Sequence, residues 1–264
     1  TVLEISNRFE LKTTYDAGRT RLKSVLSHAS DSCAYRQTAY LSAEFLNNLK
    51  SQGVSSHAGL TPVIECIGQI PEITDQITHS ETGAVVFKGD ESVLVILPPF
   101  PIGEVSIHND VHILPLTSLL DTRPVVGVIF LRLGRYAVGV LRDDVLLASK
   151  TGTRYVKNRH RKGGSSQRRF ERSRERLVRE FYDKACSIAS DVISPLRDRI
   201  DYLIFGGERH ILSGFAKRCR LVRELEKKTL NRRIPVGRPG QKALESAAKG
   251  IWVGKVLIFS KSCT

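Results

Sequence analysis

Hydrophobic and polar positions change rhythm along this chain, and the changes mark its elements. Up to residue 80 the apolar positions recur at helical intervals. Leu22, Val25 and Leu26 form one cluster, and Tyr40, Leu41, Phe45 and Leu49 recur at four-residue spacing, so this stretch reads as mainly helical. Ala84-Val85-Val86-Phe87 and Val93-Leu94-Val95-Ile96-Leu97 are then two apolar runs around the polar turn Lys88-Gly89-Asp90-Glu91, the pattern of a β-hairpin. A proline-rich segment, PPFPIG, leaves that hairpin, and Val105 to Leu116 offers one or two more short strands.

The pattern shifts sharply at Asp121-Thr122-Arg123-Pro124, a candidate domain boundary. Val125–Leu133, Tyr136–Leu141 and Val145–Ser149 are apolar runs joined by the tight turns Gly134-Arg135 and Arg142-Asp143, which predicts an antiparallel meander. From Phe170 onward Leu177, Phe181, Ala185, Ile188 and Val192 lie three or four residues apart, an amphipathic helix that Pro195 ends. Strand and helix then alternate: strand Asp201–Phe205, helix Ile211–Lys228, strand Arg233–Val236, helix Gln241–Lys249 and strand Trp252–Phe259. Three antiparallel strands followed by alternating helices and strands predict an α/β unit over residues 122–264. Its sheet is mixed, with helices on both faces in a ribonuclease-H-like layout, and a smaller α+β domain over residues 1–121 precedes it.

Composition adds the partner. Apolar content of 41% and charged content of 26% are ordinary for a globular protein of 264 residues, but a net charge of +14 and a pI near 9.8 are not. That balance points to nucleic acid or an anionic surface. Membrane is disfavoured, because the longest apolar run, Val93 to Ile102, is broken by Pro98, Pro99 and Pro101. Glu4, Arg8 and Glu10 stand where a signal peptide would be apolar, so a cytoplasmic location is expected. The 5 cysteines contain no CxxC pair and indicate neither a zinc ribbon nor a disulfide framework. His108 and His112 lie four apart in IHNDVH, but the stretch reads as strand, where that spacing separates them. No metal site is expected. Neither a GxxxxGK[ST] loop nor a G-x-S-x-G elbow occurs, and no cofactor is expected.

The strongest local feature is Arg154 to Arg179, with eleven Lys or Arg residues against Glu171 and Glu175. Within it lies an uncharged patch, Gly163-Gly164-Ser165-Ser166-Gln167. An amide is no useful acid or base near neutrality, but it orients water or holds developing charge by hydrogen bonds. Glycines let the backbone approach a substrate closely. The same residues also suit a plain linker with Ser165 or Ser166 as N-cap of the helix. Two acids cannot neutralise eleven cations, so the helix is expected to meet RNA, and its loop to be mobile until phosphates neutralise it. A second basic segment, Lys217 to Arg238, either extends that surface or solvates a helix. Gly206-Gly207 could cradle a phosphate at the next helix start, or form a tight turn.

A strand, a basic loop with Gly-x-x-Gln (Gly164-Ser165-Ser166-Gln167) and a long Arg-rich helix together resemble the middle domain of eukaryotic-type class I peptide release factors. More closely they resemble the Vms-like release factor (VLRF) family, which includes ankyrin-repeat, zinc-finger peptidyl-tRNA hydrolases of ribosome quality control. The likeness spans about residues 122–264. The sequence departs from the eukaryotic members in lacking ankyrin repeats and a zinc finger, and from strict Gly-Gly-Gln. The resemblance implies a peptidyl-tRNA hydrolase that releases nascent chains from stalled large ribosomal subunits, with peptidyl-tRNA and ribosomal RNA as partners. It implies Gln167, Gly164, Ser165 and Ser166 as the catalytic loop. It also implies Arg161, Lys162, Gly163, Arg168, Arg169, Arg172 and Arg176 as RNA contacts. Two other functions fit the same residues: a tRNA 3′-end endonuclease, and a non-catalytic ribosome- or RNA-binding protein.

Overall fold

A computed structural model describes residues 9–52, 67, 70–156 and 167–261. The chain forms two compact units, residues 1–122 with 252–264, and residues 123–251.

In the first unit the strands are β1 (Phe9–Ala17), β2 (Gln37–Leu41), β3 (Ala84–Lys88), β4 (Ser92–Leu97), β5 (Ser106–His108) and the chain's last strand, β11 (Gly254–Lys261). They make a six-stranded sheet in the order β1-β11-β4-β3-β2-β5, every pairing antiparallel. Helices α1 (Arg19–Asp31), α2 (Ala43–Gln52), α3 (Pro71–Thr78) and α4 (Leu114–Asp121) complete it. Its core joins Ala39, Leu41, Leu46, Ile73, Ile77, Val86 and Val95 to Leu257 and Phe259 of β11.

Three expectations change here. The described part of the first eighty residues carries more helix than strand, as expected, but the helical reading misses β1 and β2: Tyr40 and Leu41 lie in β2, whereas Phe45 and Leu49 lie in α2. Their helical spacing runs across a junction that Ser42 creates, its Oγ accepting from the Phe45 amide at 3.2 Å and so starting α2. Val105 to Leu116 holds one short strand and then a helix. Pro115 opens α4, and Leu116 and Leu120, one turn apart, are its buried positions. The strand expected to finish the second domain instead pairs with β1 and β4, so the first unit is no smaller than the second. An apolar strand carries no mark of the sheet it will join.

The second unit holds β6 (Val125–Arg132), β7 (Arg135–Arg142), β8 (Val145–Thr153), α5 (Gln167–Ile193), β9 (Tyr202–Gly207), α6 (Arg209–Arg218), α7 (Arg220–Glu224), β10 (Thr229–Ile234) and α8 (Gln241–Gly250). Its sheet runs β10-β9-β6-β7-β8. The β6-β7-β8 meander is antiparallel, while β9 lies parallel to β6, and β10 parallel to β9. Such parallel pairs require crossovers, which α5 and the α6–α7 pair supply. The mixed sheet is covered on both faces. Tyr136, Val138 and Val140 point into a core with Phe181, Ala185, Ile188, Ala189 and Val192 of α5. Gly139, pointing the other way, leaves room for Leu244 of α8, which a Cβ there would approach to 3.2 Å.

The helix expected over Ile211–Lys228 is broken. Cys219 is extended (φ −85°, ψ 115°) between α6 and α7, and Glu226–Lys228 forms a 3-10 turn. Cys219 is also disulfide-bonded to Cys186 of α5, across a Cα–Cα distance of 5.3 Å. Cysteine spacing gave no sign of this pair, because the two residues meet only when α5 packs against the α6–α7 corner.

Phe181 anchors that packing. It is 0% exposed, with the Tyr136 and Tyr182 rings at 6.5 and 5.7 Å. Truncating a buried phenylalanine costs about 3–5 kcal/mol. Phe181→Ala is therefore expected to lower the midpoint of chemical denaturation by that equivalent, and an unchanged midpoint would contradict this account of the core.

Candidate functional site

Helix α5 has two differently built halves. From Phe181 onward its inward positions are buried in the sheet-covering core, whereas none of residues 168–180 is fully buried. Arg168, Arg169, Phe170, Glu171 and Arg172 are all exposed, Phe170 by 50%. At 1.5 Å per residue the exposed half extends for about 20 Å. No acid lies in the first turn, so Arg168 and Arg169 sit at the positive end of the helix dipole. Cations there are mildly unfavourable by themselves, and an anion such as phosphate relieves both the charge and the dipole.

The arginines of the helix sort into two groups. Arg154, just after β8, donates to Glu180 Oε2 at 2.8 Å, and Arg176 Nε lies 3.7 Å from Glu180 Oε1. Those guanidiniums, Arg154 first, hold the Glu180 carboxyl below the usual range. Arg179 pairs with Glu175 at 4.0 Å, the i+4 bridging that the sequence allowed. Among the described residues no carboxylate pairs with Arg168, Arg169 or Arg172. Arg176, expected to face RNA, thus has an internal partner. Exposed pairs of this kind are worth about 0–1 kcal/mol, so a phosphate can compete for it. The Arg154–Glu180 pair also ties the chain before the Gly-x-x-Gln loop to the helix after it.

Gln167 is the first residue of α5. Arg161, Lys162, Gly163, Gly164, Ser165 and Ser166, and with them the expected mobility of the loop, lie outside the described residues. Sequence reasoning passed over Arg174, whose buried Nε has no hydrogen-bond partner among the described residues. It also passed over Glu180 as the acid that engages two of the cations. The i+4 spacing of Arg176 and Glu180 was legible; the approach of Arg154 across the loop was not.

Four of the nine cations of the second basic segment hold its own unit together. Arg218 makes a bidentate pair with Asp183 of α5, and holds that carboxyl below its usual range. Arg220 reaches Glu224 at 2.7 Å, and Lys228 donates to the Ile200 carbonyl at 2.6 Å. Arg232 donates to the carbonyls of Gly250 and Ile251 at the end of α8 (3.2 and 2.7 Å); burial lowers its guanidinium to about 10, still cationic at neutrality. Gly206-Gly207 closes β9 and does not open a phosphate cradle. At Gly207, where φ is +128°, a Cβ would lie 2.0 Å from the Leu131 carbonyl oxygen. Glu208 then stands at the N-terminus of α6, where its charge repels phosphate.

In the first unit, His108 ends β5, so His112 is not in a strand with it, and the expected separation fails. The two imidazoles are stacked, centroids 4.0 Å apart. Among the described residues no helix is long and apolar enough to cross a membrane.

With this geometry in place, the chain can be set beside known proteins. Peptide chain release factor subunit 1 of Archaeoglobus fulgidus is 28% identical over 190 residues, which are 70% of this chain and 47% of that protein. The same subunit of Thermococcus sibiricus is 30% identical over 163 residues, 57% of this chain and 39% of that protein. The chain thus matches less than half the length of these relatives. A solved structure described as the Vms1 mitochondrial localization core aligns with a TM-score of 0.42 at 12% identity, covering 81% of this chain and 95% of that one. The Actinobacteria/chloroflexi VLRF1 release factor profile matches residues 124–257, just over half of the 264, and takes in the meander, the Gly-x-x-Gln segment and all of α5. The chain belongs to that release factor family.

Proposed function

We propose that this protein is a cytoplasmic peptidyl-tRNA hydrolase that frees nascent chains from stalled large ribosomal subunits. The observation that carries the reading is the exposed, acid-free, arginine-bearing start of α5, directly after Gly-x-x-Gln, in a chain of the VLRF1 release factor family. Arg168, Arg169 and Arg172 bind ribosomal RNA phosphates, which give affinity without reading sequence. Arg161, Lys162 and Arg176 add to that surface, and Gly163 and Gly164 let the loop thread between RNA segments.

The chemistry asks little of the protein beyond position. Water attacks the carbonyl carbon of the ester joining peptide to tRNA. The ribose oxygen leaves and takes up one of the water's protons while the other passes to solvent, giving a peptide carboxylate and a tRNA with a free terminal hydroxyl. The Gln167 amide, held by Gly164, Ser165 and Ser166, orients the water or donates to the developing oxyanion, a role that needs no titration of its own.

The test is the tRNA product. Wild-type protein is incubated with peptidyl-tRNA–large-subunit complexes, and the 3′ end of the released tRNA is sequenced. Ester hydrolysis leaves an intact terminal CCA. A shortened 3′ end would replace this reading with endonucleolytic cleavage, and no release beyond background would replace it with RNA binding alone.

A further inference from the structure

We propose that His108, Asp110 and His112 form a divalent-metal site in the first unit, taking Zn²⁺ or a cation of similar softness. One candidate ligand atom from each of the three lies within 4.8 Å of the others. Around a tetrahedral zinc ion, with Zn–N near 2.0–2.1 Å, two donor atoms stand about 3.3 Å apart. The side chains must rotate to close the difference. Two imidazole nitrogens and one carboxylate oxygen suit zinc, cobalt or nickel better than magnesium or calcium, which prefer all-oxygen shells.

The segment is built to hold these side chains together. After β5 ends at His108, the chain bends back along β2 and is fastened there by two buried side chains. Thr38 Oγ1 donates to the Asp110 carbonyl at 2.7 Å and accepts from the His112 amide at 2.9 Å. Tyr40 Oη donates to the His112 carbonyl at 2.7 Å. All these bonds fasten the backbone and use none of the three ligand side chains. The imidazoles stack at 4.0 Å with an interplanar angle of 16°. A metal ion lies in the plane of each imidazole that binds it, so the two rings turn out of this stack to share one ion. His108 Nε2 lies 3.1 Å from Ser106 Oγ. A proton donated from Nε2 to that hydroxyl leaves the Nδ1 lone pair for the metal, the outer-shell arrangement common at histidine ligands. Asp110 is exposed and both histidines are half-buried, so the remaining coordination position opens to water.

The site stands apart from peptide release and is tested without it. Full-length protein is stripped with chelator, then titrated with Zn²⁺ by calorimetry and with Co²⁺ by absorption spectroscopy. One equivalent is expected to bind, and Co²⁺ to show d–d bands without a thiolate charge-transfer band. Ser106→Ala is expected to weaken binding by about 10-fold, and His112→Ala by at least about 100-fold, a ligand counting for more than its outer-shell partner. Asp110→Asn keeps the side-chain shape and so separates loss of a ligand from loss of fold; it too is expected to weaken Zn²⁺ while the circular dichroism spectrum stays unchanged. Failure of the wild type to bind one equivalent would overturn the proposal. So would undiminished affinity in folded His112→Ala and Asp110→Asn, or a thiolate band showing that a cysteine, such as the exposed Cys33, holds the metal.

Discussion

Replacing Arg168, Arg169 and Arg172 together by glutamate is expected to weaken ribosome binding sharply and to flatten its dependence on salt. All three side chains are exposed on the α5 start, and no described carboxylate pairs with them, unlike Arg154, Arg176 and Arg179. Each phosphate contact releases condensed counterions, so losing three should lower the slope of log affinity against log salt by about three. The direction for the folded protein is the opposite. At positions 168 and 169, in the first turn of α5, glutamates complement the helix dipole where arginines oppose it, and position 172 lies beyond that turn. The variant should therefore melt no lower than wild type while binding far more weakly. Affinity and slope unchanged across a potassium chloride series would mean that these arginines are only solvated surface.

Gln167→Ala is expected to separate catalysis from everything else. Losing one positioned donor at an oxyanion typically costs about 10²–10³ in rate. A neutral substitution at the first residue of a helix whose opening residues are exposed lies within about ±0.5 kcal/mol in stability. Ribosome affinity, carried by the arginines, should remain. Gly164→Val should give the same profile by a different route, narrowing the backbone freedom of the loop while leaving the amide in place. A melting temperature several degrees lower, with release per folded molecule intact, would make Gln167 a structural residue.

The second unit was largely legible because its signals are local. Val125–Leu133, Tyr136–Leu141 and Val145–Ser149 are apolar runs cut by tight turns, and the 3.6-residue period of α5 survives its arginines. The mixed sheet and the exposed basic helix follow from those two facts. What stayed hidden depends on contacts between distant parts of the chain. Strand β1, FELKTTYDA, is the exception: Phe9, Leu11, Tyr15 and Ala17 fall on alternate positions, a period-two signal that the helical reading of this stretch overrode. Strand β11 looks the same in either sheet until β1 and β4 claim it. Cys186 and Cys219 meet only through helix packing, and His108 and His112 only because Thr38 and Tyr40 bend the chain after β5. At the candidate site itself, composition showed an excess of cations. It could not show that Glu180 would engage Arg154 and Arg176 and leave the first-turn arginines available.

The most direct test of the proposed activity is a single-turnover measurement on peptidyl-tRNA–large-subunit complexes carrying a labelled nascent chain. Wild type and Gln167→Ala are compared at concentrations that saturate the complex, so that binding cannot limit either. The account predicts rapid release of peptide and intact tRNA by the wild type, and release by the bound, folded variant slower by about 10²-fold or more. Equal rates for the two proteins would contradict the assignment of the Gly164-Ser165-Ser166-Gln167 loop as the group that positions water at the ester.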